Sequence, residues 1–157
     1  NLFPMVQAAS DLVLTGVEVS KEAVAHGYEL VKETGVAIDL RQADSFAEFA
    51  ARGERFDAVM LFEVLEHNSP EEGKKLVEVA TRCARPGGRV FITTPHGSWS
   101  CHDENCWDLA KRKDHINPYT VERMRALLGD VKDLDIARVE NPMYEEANAW
   151  VHASFSV

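Results

Sequence analysis

An almost unbroken apolar run, FDAVMLF, occupies residues 56–62. Such a run is typical of a strand that is covered on both faces in the middle of a parallel sheet. Three polar side chains follow within a few residues: Glu63, Glu66 and His67. Because ligands of open α/β sheets bind just beyond the carboxyl ends of the strands, we expect these side chains to line a ligand site.

Apolar segments that suit strands alternate along the chain with amphipathic segments that suit helices. The predicted strands are residues 12–19, 37–43, 56–62 and 89–94, and the predicted helices are residues 20–34, 46–52 and 69–85. Ser20 is a typical helix N-cap, and Ser69 followed by Pro70 and Glu72 is a clear start signal for the third helix. We expect Pro86 to end that helix. The alternation predicts a doubly wound α/β fold.

The C-terminal part of the chain has a different pattern. A helix is predicted over residues 120–129, and strands are predicted over residues 131–140 and 147–157. In the last strand one face carries the apolar residues Ala149, Val151, Ala153 and Phe155. This alternation is typical of an antiparallel strand with one wetter face. The predicted fold class is therefore α/β, with a doubly wound, Rossmann-like sheet that is mostly parallel and ends in an antiparallel C-terminal edge hairpin.

Composition and loop length narrow the function further. Residues 96–118 follow neither periodicity, and a loop of this length is typical of a lid or a binding segment. The formal charge of -9 disfavours general binding to nucleic-acid phosphates. No apolar run approaches the roughly 20 residues that cross a bilayer, so no membrane span is expected. An odd number of cysteines favours a reducing, cytoplasmic location over a disulfide framework.

Five segments stand in an order and spacing that one enzyme family shares. They are GVEVS (16–20), QADS (42–45), FDAVMLFEVLEH (56–67), RPGGRVFITTP (85–95) and HINPYT (115–120). With these segments the chain resembles the class I S-adenosylmethionine-dependent methyltransferases, in particular the group that contains the ubiquinone-biosynthesis O-methyltransferases. The resemblance covers nearly the whole chain and implies that residues 1–157 form a single methyltransferase domain with S-adenosyl-L-methionine as its cofactor.

The resemblance implies a role for five residues in cofactor binding. Glu18 stands where the family binds the ribose hydroxyls, and a carboxylate suits a diol because it accepts two hydrogen bonds. Asp44, with Ser45 beside it, stands where the family contacts the adenine edge. Phe62 and Glu63 stand beside the methionine portion. The alternative for Glu18 and Asp44 is that they are polar strand ends or helix caps.

The family pattern also includes a first strand and a Gly-x-Gly-x-Gly loop, which this sequence lacks. Residues 1–10 resemble the end of the helix that follows that loop. The first strand would lie at the centre of the sheet, between the strands at residues 12–19 and 56–62, and without it both would have unpaired edges. We therefore expect the sequence to be an N-terminally incomplete piece of a longer protein.

A metal site is a second interpretation of the E-x-x-E-H segment. Glu63, Glu66 and His67 would lie on one side of a helical turn, and His115 would approach from the long loop. Two carboxylates and two imidazoles suit several divalent metals. This pattern resembles the metal site of small-RNA 2′-O-methyltransferases. In methyltransferases without a metal, the same segment caps a helix and lines the pocket.

Histidines in this region are also candidates for a general base, because imidazole titrates near neutral pH. We identify His67 and His115 as the catalytic candidates, with His96 as a further one. The main hypothesis is O-methylation of a small molecule, with RNA as a less favoured acceptor. The alternatives are a metal-dependent RNA 2′-O-methyltransferase and a non-catalytic remnant that serves as an interaction module. The sequence leaves the oligomeric state open.

Overall fold

The computed structural model describes residues 12–97, 115–140 and 149–157. Two predicted features lie outside these residues: the helix end at residues 1–10, and most of the binding loop at residues 96–118. The chain divides into two compact units, Asn1–Gly53 and Glu54–Val157. Each unit is described by itself, and the expectation of a single domain stays a prediction.

The first unit is a β-α-β-α segment. Its elements are β1 (Leu14–Glu18), α1 (Lys21–Thr34), β2 (Ile38–Gln42) and α2 (Phe46–Ala51). β1 and β2 pair in parallel, with Gly16 opposite Leu40. A helical crossover between two parallel strands is the expected connection for this pairing, and it confirms the predicted element order of this region.

Local capping explains where α1 begins and ends. The Ser20 hydroxyl accepts a hydrogen bond from the Ala23 N–H at 3.2 Å, which satisfies one of the first unpaired donors of the helix. Gly35 at the other end has φ 66°, and its N–H donates to the Val31 carbonyl at 2.9 Å. Glycine adopts this left-handed conformation without a steric penalty, so both predicted ends of α1 are confirmed.

The second unit contains a four-stranded mixed sheet. Its elements are β3 (Phe56–Phe62), a 3₁₀ turn (Leu65–His67), α3 (Pro70–Cys83), β4 (Ala84–Pro95), α4 (Val121–Leu128), β5 (Lys132–Glu140) and β6 (Ala149–Ser156). The strand order is β3-β4-β6-β5. β3 and β4 are parallel, whereas β6 is antiparallel to both β4 and β5. The antiparallel C-terminal hairpin and the α/β class are thereby confirmed.

The core of the second unit lies on one face of this sheet. It contains Val90 and Ile92 of β4, Val151, Ala153 and Phe155 of β6, Leu65 of the 3₁₀ turn, and Met124 and Leu128 of α4. Burial alternates strictly along β6, as the apolar and polar residues do in the sequence. The period of two places every second side chain against the helices, and this confirms the predicted inward face of β6.

The prediction that β3 is covered on both faces is wrong for the described sheet. Asp57 and Ala58 are exposed, and no residue of β3 is fully buried. The physical reason is that, among the described strands, β3 pairs with β4 alone and lies at an edge. The apolar run of β3 therefore predicts more burial than the described residues provide.

The boundary between α3 and β4 also differs from the expectation. The helix ends at Cys83, and the strand begins at Ala84 instead of Arg89. Ala84 pairs with Phe56, and a register shift follows before Ala58 pairs with Arg89. The chain thus re-enters the sheet as soon as the helix ends, so that residues 84–88 already belong to the strand.

The described helices contain no candidate for crossing a bilayer, since none is both long and apolar enough.

Candidate active site

The chain turns sharply where β3 ends. Glu63 has φ 55°, a left-handed backbone conformation that is uncommon outside glycine. A 3₁₀ turn over Leu65–His67 follows. Ser69 and Glu72 then start α3 with a capping box, in which each side chain satisfies a backbone N–H of the other residue. The turn between β3 and α3 is therefore fixed at both of its ends.

Glu66 is the buried acid of this turn, with 2% exposure. The Thr94 hydroxyl donates to its Oε2 at 2.9 Å. Its Oε1 accepts no hydrogen bond from the described residues, although His67 Nε2 lies 3.7 Å away. Burial is the main reason why the pKa of Glu66 is raised, and hydrogen bonds from its own backbone and from Thr94 oppose this rise. A buried carboxylate oxygen without a donor is costly unless a ligand or a proton satisfies it.

Two histidine rings lie beside this acid. The ring centroids of His67 and His115 are 4.7 Å apart, and their planes meet at 77°. Glu66, His67 and His115 each offer one possible metal-ligand atom, and these three atoms lie within 4.8 Å of one another. The structure therefore brings together three of the four residues that the E-x-x-E-H pattern and the later histidine suggest for a metal.

The fourth candidate, Glu63, does not belong to this group of ligand atoms. Its Oε1 accepts a hydrogen bond from the Thr93 hydroxyl at 2.9 Å, and its Oε2 accepts one from the Trp150 indole N–H at 3.2 Å. Of the four predicted metal ligands, the structure thus groups three, and metal binding by them stays a prediction. Glu63 is outside the group because it lies in a left-handed turn ahead of the 3₁₀ turn, and not on the same helical face as Glu66 and His67.

A buried amide fixes the segment that carries His115. Asn117 is 2% exposed, and its N–H donates to the Glu66 carbonyl at 3.1 Å. Its side-chain Nδ2 donates to the Tyr119 hydroxyl at 2.8 Å, and its Oδ1 accepts from Arg123 Nη2 at 2.7 Å. Asn117 thus connects the His115 segment to the turn after β3 and to the first turn of α4.

Tyr119 packs closely against α3 at Gly73. A Cβ atom at Gly73 would lie 2.9 Å from the Tyr119 hydroxyl. Tyr119 is 3% exposed, and burial raises the pKa of its hydroxyl, so that the phenol stays neutral. The absence of a side chain at position 73 therefore leaves the room in which the Asn117–Tyr119 hydrogen bond forms.

His96 follows directly after β4. Its N–H donates to the Ala149 carbonyl at 2.8 Å, and the residue forms an isolated parallel bridge with Tyr119. Partial burial lowers the pKa of His96, and the nearby positive charge of Arg138 lowers it further. The imidazole is therefore kept neutral, as a general base requires, and its catalytic role stays a prediction.

Glu18, the acidic residue that ends β1, accepts hydrogen bonds from neighbouring backbone N–H groups. Oε1 of Glu18 accepts from the N–H groups of Val19 at 2.7 Å and Ser20 at 2.9 Å. Both hydrogen bonds fall on one oxygen, so Oε2 is the atom that a diol would meet. Oε1 thus has the contacts of a polar strand end, and the ribose-binding role of Glu18 stays a prediction.

Asp44 and Ser45 lie between β2 and α2, and both are exposed. The Ser45 hydroxyl accepts from the Glu48 N–H at 3.1 Å and is the N-cap of α2. The Asp44 N–H donates to Glu48 Oε2 at 3.2 Å. These contacts are those of a helix cap, and the exposed Asp44 carboxylate remains accessible to a ligand. Phe62 is half-buried and pairs with Thr93 of β4.

Comparison with known proteins decides the family. A sequence model described as a methyltransferase domain matches residues 1–88, which is more than half of the 157 residues. The chain belongs to this methyltransferase domain family. Together with the observed fold, the match identifies a class I S-adenosylmethionine-dependent methyltransferase domain, as the sequence motifs indicate.

Curated relatives of this methyltransferase domain include the ubiquinone biosynthesis O-methyltransferase of Methylococcus capsulatus. The two are 30% identical over 90 residues, which cover 57% of this chain and 36% of the relative. The enzyme of the same name from Rhizobium leguminosarum is 33% identical over 81 residues, which cover 52% of this chain and 31% of the relative. The matches thus span about a third of the length of these relatives.

Solved structures confirm the fold. The methyltransferase domain of bacterial CtHen1-C superimposes with a TM-score of 0.75 at 19% identity, covering 100% of this chain and 84% of that one. The N-methyltransferase NodS of Bradyrhizobium japonicum, in complex with S-adenosyl-L-homocysteine, gives 0.66 at 16% identity, with 92% and 66% covered. At such identities the likeness concerns the fold alone.

Several residues that build the site of this methyltransferase domain were not identified as site residues from the sequence. Asn117 and Tyr119 lie within the HINPYT segment, so the motif gave a signal for them. Trp150 gave a weaker one, as an aromatic residue on the wetter face of β6. Thr93 and Thr94 looked like ordinary β-branched strand residues, and nothing local distinguishes them.

Proposed function

We propose that the protein transfers the methyl group of S-adenosylmethionine to a hydroxyl oxygen of a small molecule. The observation that carries this proposal is the pair of imidazoles of His67 and His115, 4.7 Å apart between ring centroids, beyond the carboxyl end of β3. Curated relatives named O-methyltransferases support oxygen as the acceptor atom. The charge of -9 favours a small acceptor over a nucleic acid, and the cysteine content supports a cytoplasmic location.

The proposed cofactor contacts follow the family resemblance. In the first unit, Glu18 would accept from a ribose hydroxyl through Oε2, because Oε1 is used by two backbone N–H groups. Asp44 and Ser45 would meet the adenine edge, and both are exposed. In the second unit, Phe62 and Glu63 would lie beside the methionine portion.

S-adenosylmethionine, when bound, supplies an electrophilic methyl group on a positively charged sulfur. The protein then has to orient the acceptor hydroxyl and remove its proton as the new carbon–oxygen bond forms. His67, which is half-exposed beside the buried Glu66, is the proposed base. His115 packs edge-on against His67 and would fix its orientation or exchange the proton with it.

Equilibrium binding of S-adenosylmethionine and S-adenosylhomocysteine to the full-length protein tests the first step. We expect saturable binding of both by calorimetry. If neither binds, the proposed function is wrong, and the alternative of a non-catalytic remnant of the fold takes its place.

The base is tested by single substitutions in the same protein. We expect His67→Ala to lower kcat by about a hundredfold or more, which is the usual contribution of a positioned general base, with a smaller effect on cofactor affinity. The matched control is His26→Ala, because His26 is exposed on α1. A loss of activity that is equal in both variants would contradict the assignment.

We infer a metal-dependent RNA 2′-O-methyltransferase as the second candidate function. One specific observation favours a metal: the buried Glu66 Oε1 accepts no hydrogen bond from the described residues and lies among ligand atoms of His67 and His115. One carboxylate and two imidazoles form a donor set that fits Mn²⁺, Fe²⁺, Co²⁺ or Zn²⁺. A divalent ion would supply a Lewis acid that holds the acceptor hydroxyls, and Glu66, His67 and His115 would hold the ion.

Metal analysis of the purified protein separates the two functions. The second candidate predicts about one equivalent of metal per chain, its loss in His115→Ala, and activity on RNA that chelation abolishes. His152→Ala is the matched control, since His152 is an exposed histidine of β6. Activity on a small molecule that survives chelation would reject the second candidate and support the first.

A further inference from the structure

Glu63 combines an unusual backbone conformation with an unusually well-held side chain. Its φ of 55° places it in the left-handed region, where a side chain with a Cβ is disfavoured. Such residues cluster at ligand sites, where the surrounding structure holds them in place. A glycine at this position would avoid the strain, so the carboxylate has to be explained.

Two strands hold this residue through three hydrogen bonds. The Glu63 N–H donates to the Thr93 carbonyl at 3.0 Å, which prolongs the β3–β4 pairing by one residue. The Thr93 hydroxyl donates to Oε1 at 2.9 Å, and the Trp150 indole N–H donates to Oε2 at 3.2 Å. Trp150 stands on β6, 87 residues further along the chain.

The register of the sheet explains why these two residues meet one carboxylate. Thr93 is opposite Phe62 in the parallel pair of β3 and β4. Trp150 is opposite Pro95 in the antiparallel pair of β4 and β6. Both donors therefore lie near the carboxyl ends of β3 and β4, on the same edge of the sheet as Glu63.

The bonding leaves acceptor capacity on both oxygens. An ionised carboxylate has about four lone-pair sites, and the hydrogen bonds from Thr93 and Trp150 occupy one site on each oxygen. A carboxylate held in this way has a fixed direction, and carboxylate oxygens with free lone pairs suit a positively charged N–H donor.

We propose that Thr93 and Trp150 are positioning residues that fix the Glu63 carboxylate as the acceptor for the α-ammonium group of the cofactor's methionine portion. This inference rests on the proposed function, because it assigns a partner within the same cofactor. Glu63 would contact the ligand, whereas Thr93 and Trp150 would act only through Glu63.

The test compares two probes that differ in the amino-acid portion. S-adenosylhomocysteine carries the α-ammonium group, and 5′-methylthioadenosine lacks it. In the full-length protein we expect Thr93→Val and Trp150→Phe each to weaken S-adenosylhomocysteine binding by about tenfold, the size of one charge-assisted hydrogen bond. Binding of 5′-methylthioadenosine should stay within about twofold in both variants, a small change on the free-energy scale.

Two further variants complete the comparison. Thr93→Ser keeps the hydroxyl and should have the wild-type affinity for S-adenosylhomocysteine. Glu63→Gly removes the carboxylate but suits the left-handed backbone, and it should lose that affinity. Thermal unfolding of each variant shows whether it is folded. If Trp150→Phe fails to fold, the comparison of Thr93→Val with Thr93→Ser still tests whether a hydroxyl at position 93 supports S-adenosylhomocysteine binding.

Each outcome bears on one proposal or on both. Equal weakening of both probes indicates a merely structural role for Thr93 and Trp150 and overturns the inference. Unchanged binding of S-adenosylhomocysteine in the variants overturns it as well, although the proposed function would stand. If the wild-type protein binds neither probe, the proposed function and this inference fail together.

Discussion

The backbone N–H of Asn117 donates a hydrogen bond to the carbonyl oxygen of Glu66 at 3.1 Å. Through this contact the segment that carries His115 joins the turn that carries His67. The Asn117 side chain continues the connection to Tyr119 and Arg123. The two proposed catalytic histidines, which are far apart in sequence, thus share one support.

The first prediction concerns the replacement of Asn117. Asn117→Ala removes both side-chain hydrogen bonds and leaves the buried Tyr119 hydroxyl without its donor. We expect the free energy of unfolding to fall by about 2 kcal/mol, measured by urea denaturation. Ile116→Ala is the control, because this neighbour is 60% exposed and should change stability by less than about 0.5 kcal/mol. Equal losses of unfolding free energy in both variants would show that the hydrogen bonds of the Asn117 side chain do not stabilise the protein.

The capping box at the start of α3 gives the second prediction. Ser69→Ala removes the acceptor for the Glu72 N–H, a hydrogen bond of 3.3 Å. We expect a loss of about 1 kcal/mol in the free energy of unfolding. Ser69→Asp keeps a capping acceptor and should recover most of the stability. A wild-type value for the alanine variant would mean that the cap does not stabilise the helix.

Gly88 gives the third prediction, because it lies where β4 approaches the start of β3. A Cβ at this position would lie 2.9 Å from the carbonyl oxygens of Arg85 and Asp57. Both are backbone atoms that cannot rotate away, so we expect Gly88→Ala to cost about 2 kcal/mol or more in unfolding experiments. Gly53→Ala is the comparison: nothing lies within 4 Å there, and only the positive φ should cost about 1 kcal/mol. The reverse ranking would contradict the packing argument.

The pH dependence of stability gives the fourth prediction, through His96. Its folded-state pKa is lowered from 6.5, chiefly by burial and then by Arg138. The unfolded chain therefore binds the proton more tightly than the folded protein does. Stability should be complete above the unfolded value and should fall as the pH drops from there through the folded pKa.

Urea denaturation across this pH window measures the effect. His96→Gln should flatten the part of the profile that lies just below pH 6.5, the ordinary value of this group. Arg138→Gln should narrow the pH range over which stability falls, because removing the nearby positive charge moves the pKa of His96 back towards 6.5. A profile that is unchanged in both variants would contradict the assignment to His96.

Sequence patterns predicted the elements best where a local cause is complete within a few residues. Ser20 and Gly35 satisfy the ends of α1 by themselves. The alternation in β6 identifies its buried face, because a strand places successive side chains on opposite faces wherever it packs. The boundary at Ala84 could not be predicted in this way, since it depends on pairing with Phe56, 28 residues earlier in the chain.

The candidate site shows the same division between local and long-range causes. The E-x-x-E-H segment made Glu66 and His67 candidates, and the family motif added His115. Neither pattern shows that Glu66 is buried at 2% exposure or that Glu63 is held by Trp150. Burial and hydrogen bonding across strands depend on segments that meet only after folding.

The sequence by itself determined the α/β class, both caps of α1, the start of α3, the inward face of β6 and the family. These follow from periodicity, capping chemistry and motif order, which act over short distances along the chain. Only the tertiary structure decided that β3 is a half-exposed edge strand among the described residues. It also decided that Glu66, His67 and His115 form one cluster from which Glu63 is excluded. The physical reason is that a side chain's partners are set by strand pairing and packing between distant segments, which no local pattern contains.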